Sequence, residues 1–576
     1  MRLINTITLQ LEDFSLKPIP PYAILSHTWA DDEVTFQDMI AGSAAQKTGF
    51  FKIQETCRLA CNNKLGYAWV DTCCIDKSSS AELTEAINSM FAWYKNSAVC
   101  FVYLVDLGFV NDLETELSQC RWWTRGWTLQ ELLAPERHEY YDKDWTFVGE
   151  GYQMLEIIST CSRVPLAVLR DRFRTCMDSM SFAARMSWAA RRSTTRIEDE
   201  AYCLLGLFDV NMPLIYGEGR RAFRRLLEEI VKRDNDLTIL ASDTSVDVPN
   251  NVGSTINTSL FGFSAANYHA MGGLQRFKHT LEDIAITNKG LKFTGHLPLR
   301  LCEIQTEFSA LPICCLILLL GRIGDARLRD GYGICLKIIG PRLMQRDTRF
   351  PILPYDNSSS IKKIKDVHFE DVYILIDPTP SHESLFARYR QGAIHVPEIP
   401  MFDLEDVVPE SLWDFEERLF LRKRPVERSR HDMVLALLFR PNFLGVGVLV
   451  LGDCRIQPPK AKVLKSGPAT GLLFQERCRE DSLSWTDFEL LVPSSRNLTD
   501  TLFVHHEQDA FRVTATLRNT VKAGSYCNLV LDVEKGSYSH NQPFIKTNIS
   551  AKQEPATISS LHSPVWPWLP QSTTSS

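Results

Sequence analysis

The sequence predicts an α/β domain at its start, a helical segment after it, and a β-rich region beyond. Long apolar runs alternate with helical patterns in the first 150 residues, and amphipathic helical stripes continue to about residue 240. From about Asp243, short apolar runs are separated by Gly, Pro, Asn and Asp, which is typical of antiparallel β structure such as a sandwich. The predicted divisions are 1–150 (α/β), 151–240 (helical), 241–550 (β-rich) and 551–576, a Ser/Thr/Pro-rich tail predicted to be disordered.

A parallel sheet is predicted within the first division. Three continuous apolar runs, each ending in polar residues, indicate buried strands at Tyr22–Trp29, Tyr67–Ile75 and Ala98–Val105. Helical spacing of apolar residues lies between them, over 50–62 and again over 83–94. Strands that alternate with helices form parallel sheets, and ligands bind at the carboxyl ends of such strands.

The bulk composition narrows the class of protein. The 576 residues carry a net charge of −7, which gives no electrostatic reason to expect a nucleic acid as partner. The 16 cysteines include no C-x-x-C pair, so we expect reduced thiols and no metal site. The stretch Met1–Leu11 lacks the apolar core of a signal peptide, and Leu311–Leu320 is too short to span a bilayer. We therefore expect a cytoplasmic protein without a membrane span.

The segment Arg121–Pro135, RWWTRGWTLQELLAP, contains one carboxylate among three tryptophans. Glu131 follows Trp127 by four residues, so the two side chains are neighbours on a helix. A glutamate beside indole rings lies in a partly dry setting where it could face a flat ligand. The alternative is an amphipathic helix with buried tryptophans and a solvated glutamate. No GxGxxG or P-loop pattern is present.

Four blocks of the first division resemble a known family. The blocks YAILSHTW, YAWVDTCCIDK, ELTEAINSMFAWYKNSAVCFVYL and RGWTLQELLAP are similar, in order, to those of the fungal heterokaryon incompatibility (HET) domain over residues 20–150. The segment Ser181–Gly219 resembles the region that follows this domain in many members. His27 stands where many members have tyrosine, and Ala30 where many have glycine.

The resemblance implies a chemistry, because HET domains are considered distant relatives of the TIR domain. It implies a TIR-like parallel sheet flanked by helices, and W-T-L-Q-E-L is similar to the TIR pattern W-C-x-x-E-L. In enzymatic TIR domains this glutamate cleaves the nicotinamide–ribose bond of NAD, so Glu131 becomes the catalytic candidate, with NAD as substrate and no resident cofactor. A carboxylate beside the ribose would stabilise an oxocarbenium-like transition state.

Under this hypothesis further side chains line the site. Trp29 or Trp127 would stack on a ring, and Lys77 or Arg125 would contact the pyrophosphate. The complete substrate-binding set is Ser26, His27, Trp29, Asp71, Asp76, Lys77, Arg125 and Trp127.

Each assignment has a structural alternative. Ser26 could cap a helix, and His27 could be purely structural. Asp71 and Asp76 could accept bonds from backbone amides in their loop. Glu85 is the rival carboxylate, although a negative charge in the first turn of a helix is favourable without any function.

The resemblance also implies a biological role in fungal non-self recognition and regulated cell death. The first domain would be the effector and would self-associate, and the β-rich region would bind a protein partner or restrain the effector. The alternative is a non-enzymatic module that recruits death partners. A Glu131 turned into the core, or a poorly formed pocket at the strand ends, would favour that alternative.

Overall fold

The computed structural model divides into two compact units. The first unit comprises 1–396, 409–432 and 520–527, and the second comprises 397–408, 433–519 and 528–576. The structure describes residues 1–108, 112–171, 180–243, 259–277, 281–305, 312–323, 331–350, 352–355, 361–367, 369, 371–390, 393–399, 402–421, 434–441, 448–453, 460–465, 499–506, 509–519, 527–539 and 542–546. The predicted tail 551–576 lies outside these ranges.

The first unit begins with a mixed sheet whose central strands are parallel. Its strands are β1 (Arg2–Asn5), β2 (Leu11–Asp13), β3 (Tyr22–His27), β4 (Tyr67–Trp69), β5 (Val99–Tyr103), β6 (His138–Tyr141) and β7 (Phe147–Glu150). Their order is β2-β1-β4-β3-β5-β6-β7, with β4, β3, β5 and β6 parallel. All six residues of β3 are buried. The predicted α/β domain with a parallel sheet is therefore confirmed.

Helices flank this sheet as expected. They are α1 (Phe36–Ala41), α2 (Phe50–Asn62), α3 (Asp71–Cys74), α4 (Ser80–Lys95), α5 (Leu113–Ser118) and α6 (Thr128–Leu133), with a 3-10 helix at Arg121–Thr124. The two helical patterns predicted over 50–62 and 83–94 are confirmed as α2 and α4. Helix α4 begins after Ser79, whose side chain accepts a bond from the Glu82 amide and so caps the helix.

The prediction of a strand over Tyr67–Ile75 is wrong beyond Trp69. The chain turns there into α3, because the Val70 carbonyl accepts bonds from the amides of Cys73 and Cys74. Asp71, the first residue of α3, also bonds to the side chains of His27, at the end of β3, and Trp29, just after it. An apolar run shows burial, but it does not distinguish a strand from a short buried helix.

A helical extension follows, with α7 (Leu155–Ser162), α8 (Leu166–Arg170), α9 (Phe182–Ser187), α10 (Asp199–Tyr202) and α11 (Arg221–Val231). Three successive acidic residues at the start of α10, Glu198 to Glu200, bond to other parts of the chain. Glu198 accepts the amides of Gly217 and Gly219, and Asp199 accepts the hydroxyl of Tyr216. Glu200 accepts bonds from Ser264 and Ala265. The acids therefore tie α10 to the chain on either side of α11.

The rest of the first unit is β-rich. Its strands are β8 (Leu274–Arg276), β9 (Leu281–Thr287), β10 (Gly290–Gly295), β11 (Leu299–Ile304), β12 (Ile313–Ile323), β13 (Gly331–Gly340), β14 (Leu343–Arg346), β15 (Leu353–Tyr355), β16 (Ile361–Val367) and β17 (Val372–Ile374), joined by short strands at Ile394–His395, Trp413–Asp414 and Leu419–Phe420 and by helix α12 (Pro380–Arg390). The main sheet runs β16-β11-β12-β13-β14-β17-β10-β9 and is antiparallel except at β14 and β17. The predicted sandwich packing stays a prediction.

The second unit is also built of antiparallel strands. Phe402–Val408, Val434–Pro441, Val448–Asp453 and Lys460–Lys465 form one sheet in that order. Thr499–His506 pairs with Asp509–Asn519, and Cys527–Ser539 with Gln542–Lys546. Across the described ranges of both units, no helix combines the length and the apolar content needed to cross a membrane.

Candidate functional site

The central feature of the site is a chain of buried hydrogen bonds at the carboxyl end of β3. The Ser26 hydroxyl donates to Glu131 Oε2 at 2.5 Å, and the Trp122 indole N–H donates to Ser26 Oγ at 2.7 Å. Ser26 and Trp122 are fully buried, and Glu131 is 7% exposed. The sheet thus presents Ser26 where the ligand sites of parallel sheets lie, and α6 brings Glu131 to it.

The Arg121–Thr124 helix and the start of α6 form one rigid piece. The Thr128 hydroxyl donates to the carbonyl of Trp122 at 2.5 Å, which closes the turn between the two helices. The rings of Trp122 and Trp123 pack perpendicular to each other with centroids 4.7 Å apart. Trp122 and Trp123 are therefore core residues, as the alternative of an amphipathic helix predicted. That alternative also predicted a solvated glutamate, but Glu131 is buried.

The surroundings of Glu131 make its ionisation unfavourable. Burial raises the pKa of Glu131 to about 8. The hydrogen bond from Ser26 opposes this rise, the negative charge of Asp71 adds to it, and the charges of Arg125 and Arg192 oppose it. At neutral pH the side chain is mainly a carboxylic acid, and added positive charge nearby would ionise it.

A second cluster centres on His27. Its Nε2 lies 3.1 Å from Asp71 Oδ1, and its Nδ1 lies 3.2 Å from Lys52 Nζ. Lys52 also bonds to Glu33 and, at 3.2 Å, to the carbonyl of Thr28. Because an ammonium can only donate, His27 Nδ1 is the acceptor and Nε2 carries the proton given to Asp71. His27 is thereby locked in one orientation.

Asp71 also fixes an exposed indole. The Trp29 N–H donates to Asp71 Oδ2 at 2.9 Å, and Lys77 Nζ lies 3.7 Å from the centre of the Trp29 ring. Burial by itself would raise the pKa of Asp71, but Lys77, His27 and Trp29 outweigh that effect and lower it to about 2. Trp29 is 48% exposed, so a ring held rigidly by an ionised aspartate faces solvent.

Three other predicted residues, Asp76, Trp127 and Glu85, have different surroundings. Asp76 accepts bonds from Gln37 and from the amide and hydroxyl of Ser78, which is the loop role left open by the sequence. Trp127 bonds to Asp199, whose pKa is raised by burial and lowered by hydrogen bonds from Tyr216 and Trp127. Glu85 is exposed on the surface of α4.

The described residues also form a cleft of about 580 Å³, but it lies at the opposite ends of the strands from Ser26. It opens at the amino ends of β5 and β6, and its lining includes Leu132, His138, Tyr140, Tyr152 and Leu155. Within the described ranges, no group of three or more His, Cys, Asp or Glu side chains is arranged to hold a metal ion.

Comparison with known proteins identifies the first domain. Residues 22–108 match the family model described as "Heterokaryon incompatibility protein (HET)". The chain is therefore similar, over this segment, to the HET family. It is 44% identical over 239 residues to "Vegetative incompatibility protein HET-E-1" of Podospora anserina, a match that covers 40% of this chain and 17% of that relative. No solved structure matches the chain.

The candidate site extends beyond the residues that match the family model. Ser26, His27, Trp29 and Asp71 lie within 22–108, whereas Glu131 lies outside it. The match to the relative is longer than the family match, so similarity continues past the model.

Sequence reasoning missed several residues of the site. Trp122 stood within the segment already singled out, and the available signal was that the indole N–H of a buried tryptophan usually needs a hydrogen-bond partner. Lys52 and Arg192 are brought in by tertiary packing alone, and nothing in their local sequence indicated a role.

Proposed function

We propose that this protein acts in heterokaryon incompatibility, as an effector of non-self recognition and regulated cell death in a fungus, and that its HET domain cleaves NAD. The name of the Podospora relative, a vegetative incompatibility protein, supports the biological role. The observation that carries the chemistry is the bond from Ser26 to Glu131 at the carboxyl end of β3. It places one oriented carboxyl group where parallel sheets bind ligands.

The reaction breaks the bond between the nicotinamide nitrogen and the ribose anomeric carbon. The electron pair leaves with nicotinamide, which becomes neutral, so a general acid is not needed. The ribose develops positive charge, and water then attacks the anomeric carbon to give ADP-ribose and a proton. Ionised Glu131 stabilises the positive charge on the sugar, and Ser26 and Trp122 hold its orientation.

The raised pKa of Glu131 is compatible with this role. A cationic nicotinamide ring next to the carboxyl group favours the ionised form and lowers the pKa. The charged form would then arise where the substrate is bound, and the acid would persist in the empty site. Binding and ionisation are therefore coupled.

The remaining candidates supply substrate contacts in this proposal. Trp29 offers an exposed ring for stacking, and Lys77 and Arg125 meet the pyrophosphate. His27 and Asp71 hold Trp29 in place. The protein works in the cytoplasm, self-associates through the HET domain, and uses its β-rich region to bind a protein partner; no nucleic acid is involved.

A second function is a non-enzymatic module that recruits death partners. Two observations favour it: Glu131 is only 7% exposed, and the described cleft lies at the opposite ends of the strands from Ser26. In that case the bond from Ser26 to Glu131 would only stabilise the packing of α6 on β3.

The deciding experiment expresses the full chain in a fungal host and follows cellular NAD and viability. Wild type is compared with Glu131→Gln, which keeps an acceptor for Ser26, and with Glu85→Gln on the exposed face of α4 as the matched control. We expect wild type and the control to deplete NAD and to kill, and Glu131→Gln to do neither. Killing by wild type at constant NAD would instead establish the recruiting module.

A further inference from the structure

The segment that follows the family match closes directly on the Glu131 site. The amide of Ser193 donates to the Thr124 carbonyl at 2.7 Å, and the Gly126 amide donates to the Ser193 carbonyl at 2.8 Å. Residues 192–194 thus run alongside residues 124–126, immediately before α6 begins. This contact is backbone to backbone, which fixes the distance between the two segments.

Gly126 makes the close approach possible. A Cβ atom at this position would lie 2.5 Å from Thr194 Cγ2 and 3.1 Å from Cys203 Sγ. Both distances are shorter than ordinary contacts, so a larger residue would require the side chains of Thr194 and Cys203 to shift. The sequence thus keeps the smallest residue where this segment meets the site.

Arg192 reaches across this contact to α6. Its Nη1 donates to the Arg125 carbonyl and to Thr128 Oγ1, each at 2.9 Å, and its Nε donates to the Trp188 carbonyl at 3.3 Å. Thr128 is the first residue of α6, three residues before Glu131. The guanidinium therefore holds the turn that carries the carboxyl group. Within the described part of the chain, the buried Nη2 of Arg192 has no hydrogen-bond partner.

We infer that Arg192 is a positioning residue for the Glu131 site, supplied by the segment that follows the family match. It orients α6 through its bonds to Thr128 and to the Arg125 carbonyl just before the helix, and its positive charge makes the ionised form of Glu131 accessible. The inference rests on the proposed NAD cleavage for its catalytic meaning. The effect of Arg192 on Glu131 can be measured without it.

Within the described residues, Arg192 is one of two positively charged groups that favour the ionised form of Glu131. The titratable and charged side chains that act on this carboxyl group include Asp71, Tyr94, Cys100, Arg125 and Arg192. Burial raises the pKa values of Tyr94 and Cys100, so both are neutral, and Asp71 opposes ionisation. Arg125 and Arg192 are the cations of the set. A buried charge is screened less by salt than an exposed one.

The first test follows kcat/KM for NAD against pH in the full chain. We expect activity to fall on the acid side as Glu131 becomes protonated. Arg192→Gln removes the charge and should move this limb up by about one pH unit. Arg192→Lys keeps the positive charge but cannot make the paired hydrogen bonds. The acid limb should therefore stay at the same pH, while kcat should fall. Arg191→Gln, at the exposed neighbouring residue, is the matched control and should change neither.

The second test needs no activity. The difference in melting temperature between Glu131 and Glu131→Gln chains is followed against pH, once with Arg192 and once with Arg192→Gln. Without the arginine, Glu131 should resist ionisation to a higher pH, so the difference should keep growing beyond the pH at which it levels off with Arg192 present. Melting near pH 5 checks that each chain is folded.

The outcomes separate the two proposals. A melting shift without NAD cleavage by wild type would refute the proposed function and retain the effect of Arg192 on Glu131. The inference would be overturned if wild type cleaves NAD but Arg192→Gln changes neither the pH of the acid limb nor the pH dependence of the melting difference. Arg192 would then be a structural contact only.

Discussion

Replacement of Glu131 by glutamine should stabilise the protein, and increasingly so as the pH rises. In the folded chain burial raises the pKa of Glu131 from its ordinary 4.5 to about 8. The folded state therefore binds more protons than the unfolded state between these values, and the free energy of unfolding falls as the pH rises through this window. Glutamine cannot ionise, so the variant escapes this loss.

The expected magnitude follows from the two pKa values. At ~1.36 kcal/mol per pH unit, the difference between 4.5 and about 8 corresponds to about 5 kcal/mol, reached above pH 8 and close to zero below pH 4.5. The first unit has about 400 residues, so this free energy corresponds to a melting-temperature gain of roughly 6 °C.

The assay is thermal unfolding of wild type and Glu131→Gln full chains in matched buffers from pH 5 to pH 9. The quantity to compare is the difference between the two melting temperatures, because the titration of all other groups is common to both chains. A difference that is the same at every pH would refute the reasoning, since it would show that Glu131 does not change its proton affinity on folding. If Glu131→Gln instead became less stable than wild type as the pH rises, folding would have to lower the pKa of Glu131.

Two further substitutions probe the same site. Ser26→Ala removes the donor to Glu131 and leaves the buried Trp122 N–H without an acceptor, so we expect a loss of about 1–3 kcal/mol in thermal unfolding and an acid limb of NAD cleavage moved to higher pH; unchanged values for both would contradict the hydrogen-bond chain. Trp29→Ala removes an exposed ring, so KM for NAD should rise at nearly constant melting temperature, while Phe147→Ala, at a ring exposed to a similar degree, should leave KM unchanged.

Much of the first domain could be predicted because its signals are local. The apolar runs that became β3 and β5 are fully buried on both faces, and the stripe of α4 starts at a serine cap. The position of Glu131 at the sheet edge followed from the alternation of strands and helices together with the motif. These features depend on the period of the sequence and on the general geometry of parallel sheets.

The rest depended on contacts between distant parts of the chain. Asp71 lies in a helix rather than a strand, and its partners His27 and Trp29 are more than 40 residues away. Arg192 reaches the carbonyl of Arg125 only because the helical extension folds back on the domain. The raised pKa of Glu131 arises from burial, which no local pattern measures.

Under the proposed function, Glu131 needs a dry environment to stabilise positive charge and a polar one to ionise, and these two demands conflict. A dry setting strengthens the interaction of a carboxylate with developing positive charge, but it also keeps the group protonated. With a pKa of about 8, roughly one molecule in ten carries the carboxylate at pH 7, and reaching that state requires about 1 kcal/mol. Ser26, Arg125 and Arg192 all act to lower this requirement, whereas Asp71 increases it. Under the proposed function, the cationic ring of the bound dinucleotide supplies the remaining positive charge, so the empty site stays mostly in its neutral, inactive form.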